Sequence, residues 1–264
     1  MESVILEMHE IEYEMHAYSK CVQRRIIQYE EKIIMIGIIG AMHDEVELLQ
    51  KEMEAEEIIE KAGMLFHKGT LCGKEAVVVQ SGIGKVNAAL CAQILVDAFQ
   101  VDTLINTGIA GSLDAQIDIG DMVISTDAVQ HDVDTTVFGD PFGQIPNMDT
   151  FSFPADEKLV ELAKKVNEEV NPDIKTFTGR IVSGDQFISS KEVKERLVDT
   201  FQAKCTEMEG AAIAHAAYLN KVSCVIIRAI SDKADNSAEM DYPAFEKMAI
   251  LHSVRLVRGL LAAM

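Results

Sequence analysis

The chain has 264 residues, of which 48 % are apolar and 25 % charged, a composition typical of a globular protein with a substantial core. Its 24 basic and 43 acidic residues give a formal charge of −19, which argues against nucleic-acid or anionic-membrane partners because both would repel it. No apolar run approaches the ~20 residues of a membrane helix, so we expect no membrane partner. A small neutral or cationic ligand is compatible with this charge.

The cysteines and histidines indicate neither a disulfide framework nor a metal site. The five cysteines are scattered and form no Cys-x-x-Cys pair, and the seven histidines show no His-Glu-x-x-His spacing. Free thiols of this kind are typical of a reducing compartment. We therefore expect a cytoplasmic protein without a bound metal.

The first 34 residues differ from the rest of the chain. They are polar, show no clear strand pattern, and lack the apolar core and cleavage site of a secretory signal. Met35 then begins a sequence that looks like a natural protein start. We expect residues 1–34 to be an N-terminal extension outside the catalytic fold, and residues 35–264 to form a single domain.

Strand and helix patterns alternate from residue 33 onwards. The predicted strands are 33–39, 65–71, 76–80, 103–107, 121–129, 176–182 and 222–227. The predicted helices are 42–53, 85–99, 156–169, 190–200, an alanine-rich helix after Gly210, and 242–262. Residues 131–155 form a long loop, a candidate lid or interface segment. This alternation predicts an α/β fold, a three-layer sandwich in which helices flank a central mixed β-sheet.

Two glycine clusters follow predicted strands. Ser81-Gly-Ile-Gly-Lys-Val-Asn87 lacks the third glycine of the dinucleotide fingerprint and the Lys-Ser/Thr ending of the phosphate loop. The second cluster spans Gly108 to Gly111. Either cluster alone could serve only a tight turn. Two of them at strand ends favour a shared pocket where backbone approaches a ligand.

Several acidic residues lie near the expected carboxyl ends of the strands. Glu207 and Glu209 precede the alanine-rich helix. Arg228 and Asp232 are expected just past the end of the strand predicted at 222–227. Ligands of open α/β sheets bind at this edge. Acids are, however, also common in the first turn of helices, where the helix dipole favours them.

Three of the carboxylates could meet at this edge: Glu45, Glu209 and Asp232. Clustering would push their pKa values apart and leave one protonated near neutral pH. Cleavage of a glycosidic bond requires such a pair, an acid for the leaving group and a carboxylate to activate water. Three unrelated surface acids remain an equally valid interpretation, and composition does not decide between them.

Six motifs in order carry a family resemblance. They are Met-Ile-Gly-Ile-Ile-Gly-Ala-Met-His-Asp-Glu-Val (35–46), Ser-Gly-Ile-Gly-Lys-Val (81–86), Asn-Thr-Gly-Ile-Ala-Gly (106–111), Gly-Asp-Gln-Phe-Ile (184–188), Glu-Met-Glu-Gly (207–210) and Arg-Ala-Ile-Ser-Asp (228–232). Together they resemble the 5′-methylthioadenosine/S-adenosylhomocysteine nucleosidases of the purine nucleoside phosphorylase-like superfamily. The resemblance covers residues 35–264.

The resemblance implies a hydrolase that cleaves the N-glycosidic bond of 5′-methylthioadenosine, S-adenosylhomocysteine and 5′-deoxyadenosine, releasing adenine and the sugar. It implies water as co-substrate, no cofactor, and a homodimer. By the same resemblance, Asp232 would protonate N7 of adenine with help from Ser231. Glu45 would activate the attacking water, oriented by Arg228, and Glu209 would accept hydrogen bonds from the ribose hydroxyls.

The resemblance also implies a set of substrate contacts. Phe187 would stack on adenine, the Ile188 backbone would read the base edge, and Met208 would lie against the sugar. Ile83 and Tyr242 would contact the ribose and the 5′-thio group. The remaining substrate-binding residues are Met42, Gly111 and Glu207 in the same chain, with the partner subunit's Phe138 and the partner subunit's Pro146 closing the pocket.

Four positions depart from the family pattern, and rival functions exist. His43 and Asp44 replace acids often found before the catalytic glutamate, and we expect them to be tolerated. Ile109 stands where many members have Ser, and Asp140 where some have an aromatic residue, so the affinity for the nucleoside and the fit of large 5′ groups are in doubt.

A nucleoside phosphorylase would need cationic donors for phosphate, whereas the first loop offers His43, Asp44 and Glu45. A futalosine-type nucleoside hydrolase is not excluded. A non-catalytic nucleoside-binding module would need no general acid.

Overall fold

The structure, a computed structural model, describes residues 34–235 and 237–264, so most of the expected N-terminal extension lies outside the described residues. The strands are β1 Ile36–Gly40, β2 Glu54–Lys61, β3 Met64–Leu71, β4 Lys74–Gln80, β5 Thr103–Ser112, β6 Met122–Gln130, β7 Phe153–Pro154, β8 Thr176–Ser183, β9 Cys205–Glu207 and β10 Ser223–Asp232. The helices are α1 His43–Lys51, α2 Lys85–Phe99, α3 Glu157–Val170, α4 Lys191–Phe201, α5 Gly210–Asn220 and α6 Ala238–Ala263, with a 3₁₀ turn at Thr136–Phe138.

All the strands belong to one mixed sheet in the order β10-β6-β8-β9-β5-β1-β4-β3-β2, with β7 beside β6. β10 also pairs with β5, so the five strands β5, β10, β6, β8 and β9 close into a ring. β1 lies parallel to both β4 and β5, and β5 lies parallel to β10. The carboxyl ends of these parallel strands therefore face the same edge of the sheet.

Side chains along the central strands alternate between two cores, as the period of a strand requires. On β10, Ile226 and Ile230 join the core shared with α2 and α5, whereas Val225 and Ile227 join the core shared with α1, α3 and α6. A third, smaller apolar cluster includes Phe201 and packs α4 against the sheet. Helices thus cover both faces of the sheet, which confirms the predicted three-layer α/β sandwich.

The alanine-rich helix α5 packs closely, as its composition indicates. Its buried face consists of the small side chains of Ala211, Ala212, Ala214 and Ala217 with Ile213, and it packs against α2. Small side chains let two backbones approach without leaving voids. The same approach brings the N-terminus of α5, with its two glutamates, close to the N-terminus of α2.

Most predicted elements are present with boundaries shifted by a few residues, but three strands were missed: β2, β7 and β9. β7 has only two residues and lies within the predicted long loop. β2 has the sequence Glu-Ala-Glu-Glu-Ile-Ile-Glu-Lys, and its acidic residues obscure a strand pattern that suits a sheet edge. β9 has only three residues, too few for any periodicity.

Two predicted strand ends were wrong in a way that matters for the site. β5 continues through the second glycine cluster to Ser112, and β10 continues through Arg228 to Asp232. The reason is their mutual pairing, because Arg228 lies opposite Gly108 and Asp232 opposite Gly111. Arg228 and Asp232 are therefore fixed by strand geometry rather than placed on a turn.

No helix within the described ranges is both long enough and apolar enough to cross a bilayer.

Candidate active site

A cavity of about 360 Å³ lies at the carboxyl ends of the parallel strands. Its walls are mainly apolar and carry a few acidic groups, the usual character of a small-molecule site. The lining residues are Ala41, Met42, Glu45, Ile83, Ile109, Ala110, Gly111, Phe187, Thr206, Glu207, Met208, Glu209, Ser231, Asp232 and Tyr242. Glu45, Glu209 and Asp232, far apart in sequence, thus converge on one cavity, and both glycine clusters contribute to its walls.

Glu45 is held by backbone N–H groups at the start of α1. Its Oε2 accepts hydrogen bonds from the backbone N–H groups of Ala41 at 2.7 Å and Met42 at 2.9 Å, and its Oε1 accepts one from Ile109 at 3.3 Å. Burial raises the pKa of Glu45, although the charge of Arg228 and these three hydrogen bonds oppose the rise. A fixed carboxylate with a raised pKa has the character of a general base.

Arg228 is a buried cation, 2 % exposed, beneath the floor of the cavity. Its Nη2 donates to Asn106 Oδ1 and to Glu207 Oε2, both at 2.5 Å, and lies 4.0 Å from Glu209 Oε2. A Cβ atom at Gly108 would come within 2.8 Å of Arg228 Nη1 and 2.5 Å of Glu45 Oε1. Glycine at this position therefore allows the guanidinium and the Glu45 carboxylate to converge.

Glu207 and Glu209 play different structural parts although they are two residues apart. Glu207 Oε2 accepts from the backbone N–H groups of Glu209 at 3.0 Å and Gly210 at 2.8 Å, and Ser183 Oγ donates to its Oε1. Burial would raise the pKa of Glu207, but Arg228 and these hydrogen bonds hold it below its usual value. The helix-capping interpretation of the acids is thus right for Glu207, which is a charged partner of Arg228.

Glu209 faces the cavity with fewer partners. Its Oε1 accepts one hydrogen bond from the Gly84 N–H at 2.9 Å. Burial, and next to it the charge of Glu207, raise the pKa of Glu209 well above its ordinary value. The result is a carboxyl group at the cavity wall with unused hydrogen-bonding capacity.

Asp232 ends β10 at another part of the wall and is 2 % exposed. Its Oδ1 accepts from the Ala234 N–H at 2.8 Å, and Ser231 Oγ donates to its Oδ2 at 2.9 Å. Burial raises the pKa of Asp232 against these two hydrogen bonds, and the charges of Asp241 and Asp235 add to the rise. A buried carboxyl group with a raised pKa has the character of a general acid.

The apolar walls come from four separate segments. Phe187 and Tyr242 meet edge to face with ring centroids 5.8 Å apart, and Phe187 is half-exposed to the cavity. The Tyr242 hydroxyl donates to Glu246 Oε1 at 2.9 Å, and its oxygen lies 3.3 Å from Met42 Sδ. Ile83 and Met208 line the same cavity, so a flat ring and a thioether would both find apolar contacts here.

Four of the predicted site residues do not line this cavity. Arg228 lies beneath it, and Ile188 lines a small adjoining annex of about 30 Å³ together with Phe187 and Asp232. Phe138 and Pro146 are exposed on the long loop of the same chain. Both were assigned to the partner subunit, so a single chain does not test their position.

Sequence reasoning missed some lining residues. Ala41, Ala110 and Thr206 all line the cavity. The alanines carry no chemical signal, and Thr206 was not singled out beside the acidic residues that follow it. The Thr206 hydroxyl is buried and finds no hydrogen-bond partner within the described residues. Ile109, expected beside the ribose site, does line the cavity.

A mixed sheet covered by helices on both faces, with a carboxylate-lined cavity at the carboxyl ends of its parallel strands, defines a class of protein that comparison with known families identifies. The sequence profile of the Phosphorylase superfamily matches residues 35–262, so the chain belongs to that superfamily. Within it, the chain belongs with the 5′-methylthioadenosine/S-adenosylhomocysteine nucleosidases. It is 42 % identical over 229 residues to the nucleosidase of that name from Staphylococcus aureus, covering 86 % of this chain and 99 % of the relative.

Solved structures give the same family and one neighbouring activity. The Neisseria meningitidis 5′-methylthioadenosine/S-adenosylhomocysteine nucleosidase in complex with methylthio-immucillin-A superposes with a TM-score of 0.84 at 38 % identity, covering 87 % of this chain and 99 % of that one. The futalosine hydrolase of Helicobacter pylori superposes with a TM-score of 0.82 at 38 % identity, covering 88 % and 99 %.

Removing the buried cation should make stability depend more strongly on pH. In Arg228→Met the buried carboxylate of Glu207 loses its ion pair, and we expect the free energy of unfolding to fall by about 3–5 kcal/mol near neutral pH. Without the guanidinium, the folded-state pKa of Glu207 should rise above its unfolded value, and the already raised pKa values of Glu45 and Glu209 should rise further. The deficit is then smallest below the unfolded carboxyl pKa and grows as pH rises through the raised values.

Urea unfolding of the wild type and the variant at mildly acidic and mildly alkaline pH measures this difference. Arg258→Met is the control, because Arg258 is half-exposed and pairs with Glu52 at 3.0 Å. The control should lose less than about 1 kcal/mol at either pH. A deficit in Arg228→Met that is the same at both pH values would contradict the buried-charge explanation.

Proposed function

We propose that this chain is a nucleosidase that hydrolyses the N-glycosidic bond of 5′-methylthioadenosine and S-adenosylhomocysteine, releasing adenine and the 5′-thioribose. The observation that carries the proposal is the convergence of Glu45, Glu209 and Asp232 on one largely apolar cavity, in a chain 42 % identical to a nucleosidase of that name. We assign this activity to residues 35–264, with residues 1–34 as an extension, and place it in the cytoplasm.

Asp232 is the proposed general acid. A buried carboxyl group with a raised pKa is protonated over a wider pH range than an exposed one, so it can donate its proton to N7 of the adenine leaving group. Ser231 and the Ala234 N–H hold the carboxyl group in place and stabilise the carboxylate that forms when the proton leaves.

Glu45 is the proposed general base. The oxygen of a water molecule forms a bond to C1′ of the ribose as the bond from C1′ to N9 breaks, and Glu45 takes the proton of that water. Adenine leaves with the proton from Asp232 on N7. The two carboxyl groups therefore exchange protonation states in each turnover, and solvent restores them.

Glu209 is the proposed ribose-binding group. A carboxylate with two oxygens can accept from both hydroxyls of the sugar while Oε1 keeps its bond to the Gly84 N–H. Glu207 does not approach the substrate in the same way, because the N-terminus of α5, Ser183 and Arg228 occupy its oxygens. Its proposed part is to fix Arg228, which in turn orients Glu45 and the water.

The apolar walls suit the rest of the nucleoside. Phe187 would stack on the adenine ring, and the Ile188 backbone at the annex would read the base edge. Met208 would lie against the sugar, with Gly111 leaving room for Asp232 because a Cβ there would come within 2.8 Å of its carboxylate. The thioether end would contact Ile83, Tyr242 and Met42.

Water is favoured over phosphate as the attacking group. No lysine, arginine or histidine is among the described residues that line the cavity, and Arg228 beneath it is occupied by Glu207 and Asn106. Phosphate would enter a site that already holds several carboxyl groups, without a cationic donor to offset the repulsion. A phosphorolytic reaction is therefore the weaker candidate.

A futalosine-type hydrolase is the stronger alternative, because the Helicobacter pylori futalosine hydrolase is as similar in fold and identity as the nucleosidase from Neisseria meningitidis. Both reactions need the same acid and base and differ in what fills the space beyond the ribose. The substrate assay below separates them.

We also propose that the active form is a homodimer in which the long loop of one subunit closes the pocket of the other. The 3₁₀ turn in that loop exposes Val137 and Phe138, each 84 % exposed, and α2 exposes Val86 and Leu90 one helical turn apart. Neighbouring exposed apolar side chains of this size, as in each of these two pairs, favour an interface between copies.

The test of the proposed reaction is adenine release by the purified full chain in phosphate-free buffer. We expect rapid release from 5′-methylthioadenosine and S-adenosylhomocysteine, with the free thioribose as second product and no effect of added phosphate. Release only after phosphate is added would overturn hydrolysis in favour of phosphorolysis. Efficient cleavage of futalosine alone would overturn the substrate assignment.

Asp232→Asn should retain binding and lose turnover. The amide keeps an oxygen for the Ala234 N–H but has no acidic proton, so kcat should fall on the order of 10²–10⁴-fold. Binding of 5′-methylthioadenosine, measured by calorimetry, should change little. Asp118→Asn, in an exposed ion pair with Lys233 and Lys175, is the control and should keep full kcat. Full turnover in Asp232→Asn would remove Asp232 from the mechanism.

Complementation between two impaired variants tests the shared pocket. Phe138→Ala should raise KM, and Asp232→Asn should lower kcat. A mixture refolded or exchanged together should recover activity, because a mixed dimer holds one site with Asp232 from one chain and Phe138 from the other. A mixture of Asp232→Asn with Phe187→Ala should recover less activity. Both residues belong to the same subunit's part of the site, so every site in a mixed dimer still carries one of the two changes.

For the mixture with Phe138→Ala, activity that merely equals the sum of the two separate variants would contradict the shared pocket. Sedimentation equilibrium of the wild type provides the independent measurement, and a monomer at assay concentration would contradict the dimer.

A further inference from the structure

An ion-pair network outside the cavity joins two of its walls. Lys85 begins α2 immediately after the first glycine cluster, Asp132 follows β6, and Asp185 follows β8. None of the three lines the cavity. We call this group the strap.

The strap is a closed set of charge-assisted hydrogen bonds. Lys85 Nζ donates to Asp132 Oδ1 at 2.5 Å, and the Asp185 N–H donates to Asp132 Oδ2 at 3.0 Å. The Lys85 N–H donates to Asp185 Oδ1 at 2.8 Å and completes the circuit. The two carboxylate oxygens of Asp132 therefore accept from two different segments of the chain, whereas an isolated ion pair would link Asp132 to one segment only.

The strap supplies what α2 lacks at its N-terminus. The first turn of α2 contains no acidic side chain, and its capping residue is Gly84. Asp185 accepts from the Lys85 N–H, and Glu209 accepts from the Gly84 N–H. Two N–H groups at this helix end are thus paired with carboxyl groups from outside the helix, where the positive end of the helix dipole favours negative charge. A shift of this helix end would also move the hydrogen-bond partner of Glu209.

The two segments that the strap joins each carry a part of the cavity wall. Ile83 lies two residues before Lys85, and Phe187 lies two residues after Asp185; both line the cavity, and both are about half-exposed. Gly84 allows the close approach, since its φ is +96° and a Cβ there would lie 3.0 Å from Asp185 Oδ1. The Asn87 side chain donates to the Ile83 carbonyl at 2.7 Å and stiffens the same loop.

The ion pair at the centre of the strap is sheltered enough to hold its geometry. The side chains of Lys85 and Asp132 are each 17 % exposed. Screening by water and salt is weaker for such a pair than for an exposed one, and a network fixes geometry better than an isolated pair. Burial would raise the pKa of Asp132, but the hydrogen bonds from Lys85 and the Asp185 N–H hold it below the usual value.

We infer that Asp132 is a positioning residue for the nucleoside site, setting the distance between the Ile83 and Phe187 walls through Lys85 and Asp185. This inference rests on the proposed nucleosidase function for its kinetic readout. Asp132 touches no reacting atom; its effect is exerted through the two backbone segments that it ties together.

Kinetics of strap variants test the inference. In Asp132→Ala we expect kcat/KM for 5′-methylthioadenosine to fall about 10-fold, a modest part of what misplaced groups can cost. Most of the loss should lie in KM, because the walls bind the substrate while the acid and base keep their own partners. Asp132→Asn, which retains an acceptor oxygen, should lose less, and Lys85→Met should lose about as much as Asp132→Ala.

The chain provides a closely matched control. Asp127 is also 17 % exposed, also belongs to the β6 region, and pairs with Arg180 at 2.6 Å, but neither residue lines the cavity. Asp127→Ala should lower the melting temperature to a similar extent and leave KM within twofold of the wild type. A KM change that is equal in Asp127→Ala and Asp132→Ala would overturn the inference, since it would follow from lost stability alone.

Hydrogen exchange provides a readout that does not depend on the reaction. In Asp132→Ala, exchange of backbone amides should quicken in residues 82–87 and 184–188, and Asp127→Ala should leave these peptides unchanged. Unchanged exchange in both peptides would overturn the strap. A wild type that releases no adenine while its Asp132→Ala variant shows the faster exchange would refute the proposed function and leave the strap standing. Faster exchange with an unchanged KM would overturn the positioning role.

Discussion

The structure depends on one buried cation and the carboxylates around it. The Arg228 guanidinium lies within 2.5 Å of both Glu207 and Asn106. Its charge also opposes the rise that burial causes in the pKa values of Glu45 and Glu209. Burying this guanidinium without an anionic partner would cost several kcal/mol of folding free energy, and burying the carboxylates without the guanidinium would also be costly. Neighbouring strands must therefore place Asn106, Glu207 and Arg228 together for the fold to form.

This arrangement gives each carboxyl group a different chemical character. Glu207 has the closest cation and the most donors, so its pKa is lowered, whereas burial with fewer partners raises the pKa values of Glu45, Glu209 and Asp232. Acid and base functions in one cavity require such differences. The number and charge of the partners decide the part that each residue can take, because the side chains themselves are alike.

Sequence periodicity predicted the layers of the fold but not the closure of the sheet. Alternating apolar strands and amphipathic helices are local patterns, and α2 was predicted at 85–99, the bounds that the structure has. The ring of strands depends on β9, three residues long, and on the pairing of β5 with β10. Neither has a local signal, because strand pairing is decided by partners distant in sequence. For the same reason, the strand predicted at 103–107 was ended before the glycines at 108 and 111, although β5 continues to Ser112.

The sequence by itself determined the family, the α/β alternation and the set of acidic residues, since motifs, periodicity and composition are properties of short segments. Only the tertiary structure decided that Glu45, Glu209 and Asp232 share a cavity, that Glu207 caps α5 and pairs with Arg228, and that Asp132 links Lys85 to Asp185. The physical reason is that burial and partner geometry set the protonation and orientation of an acid, and both arise from contacts between segments that the sequence keeps far apart.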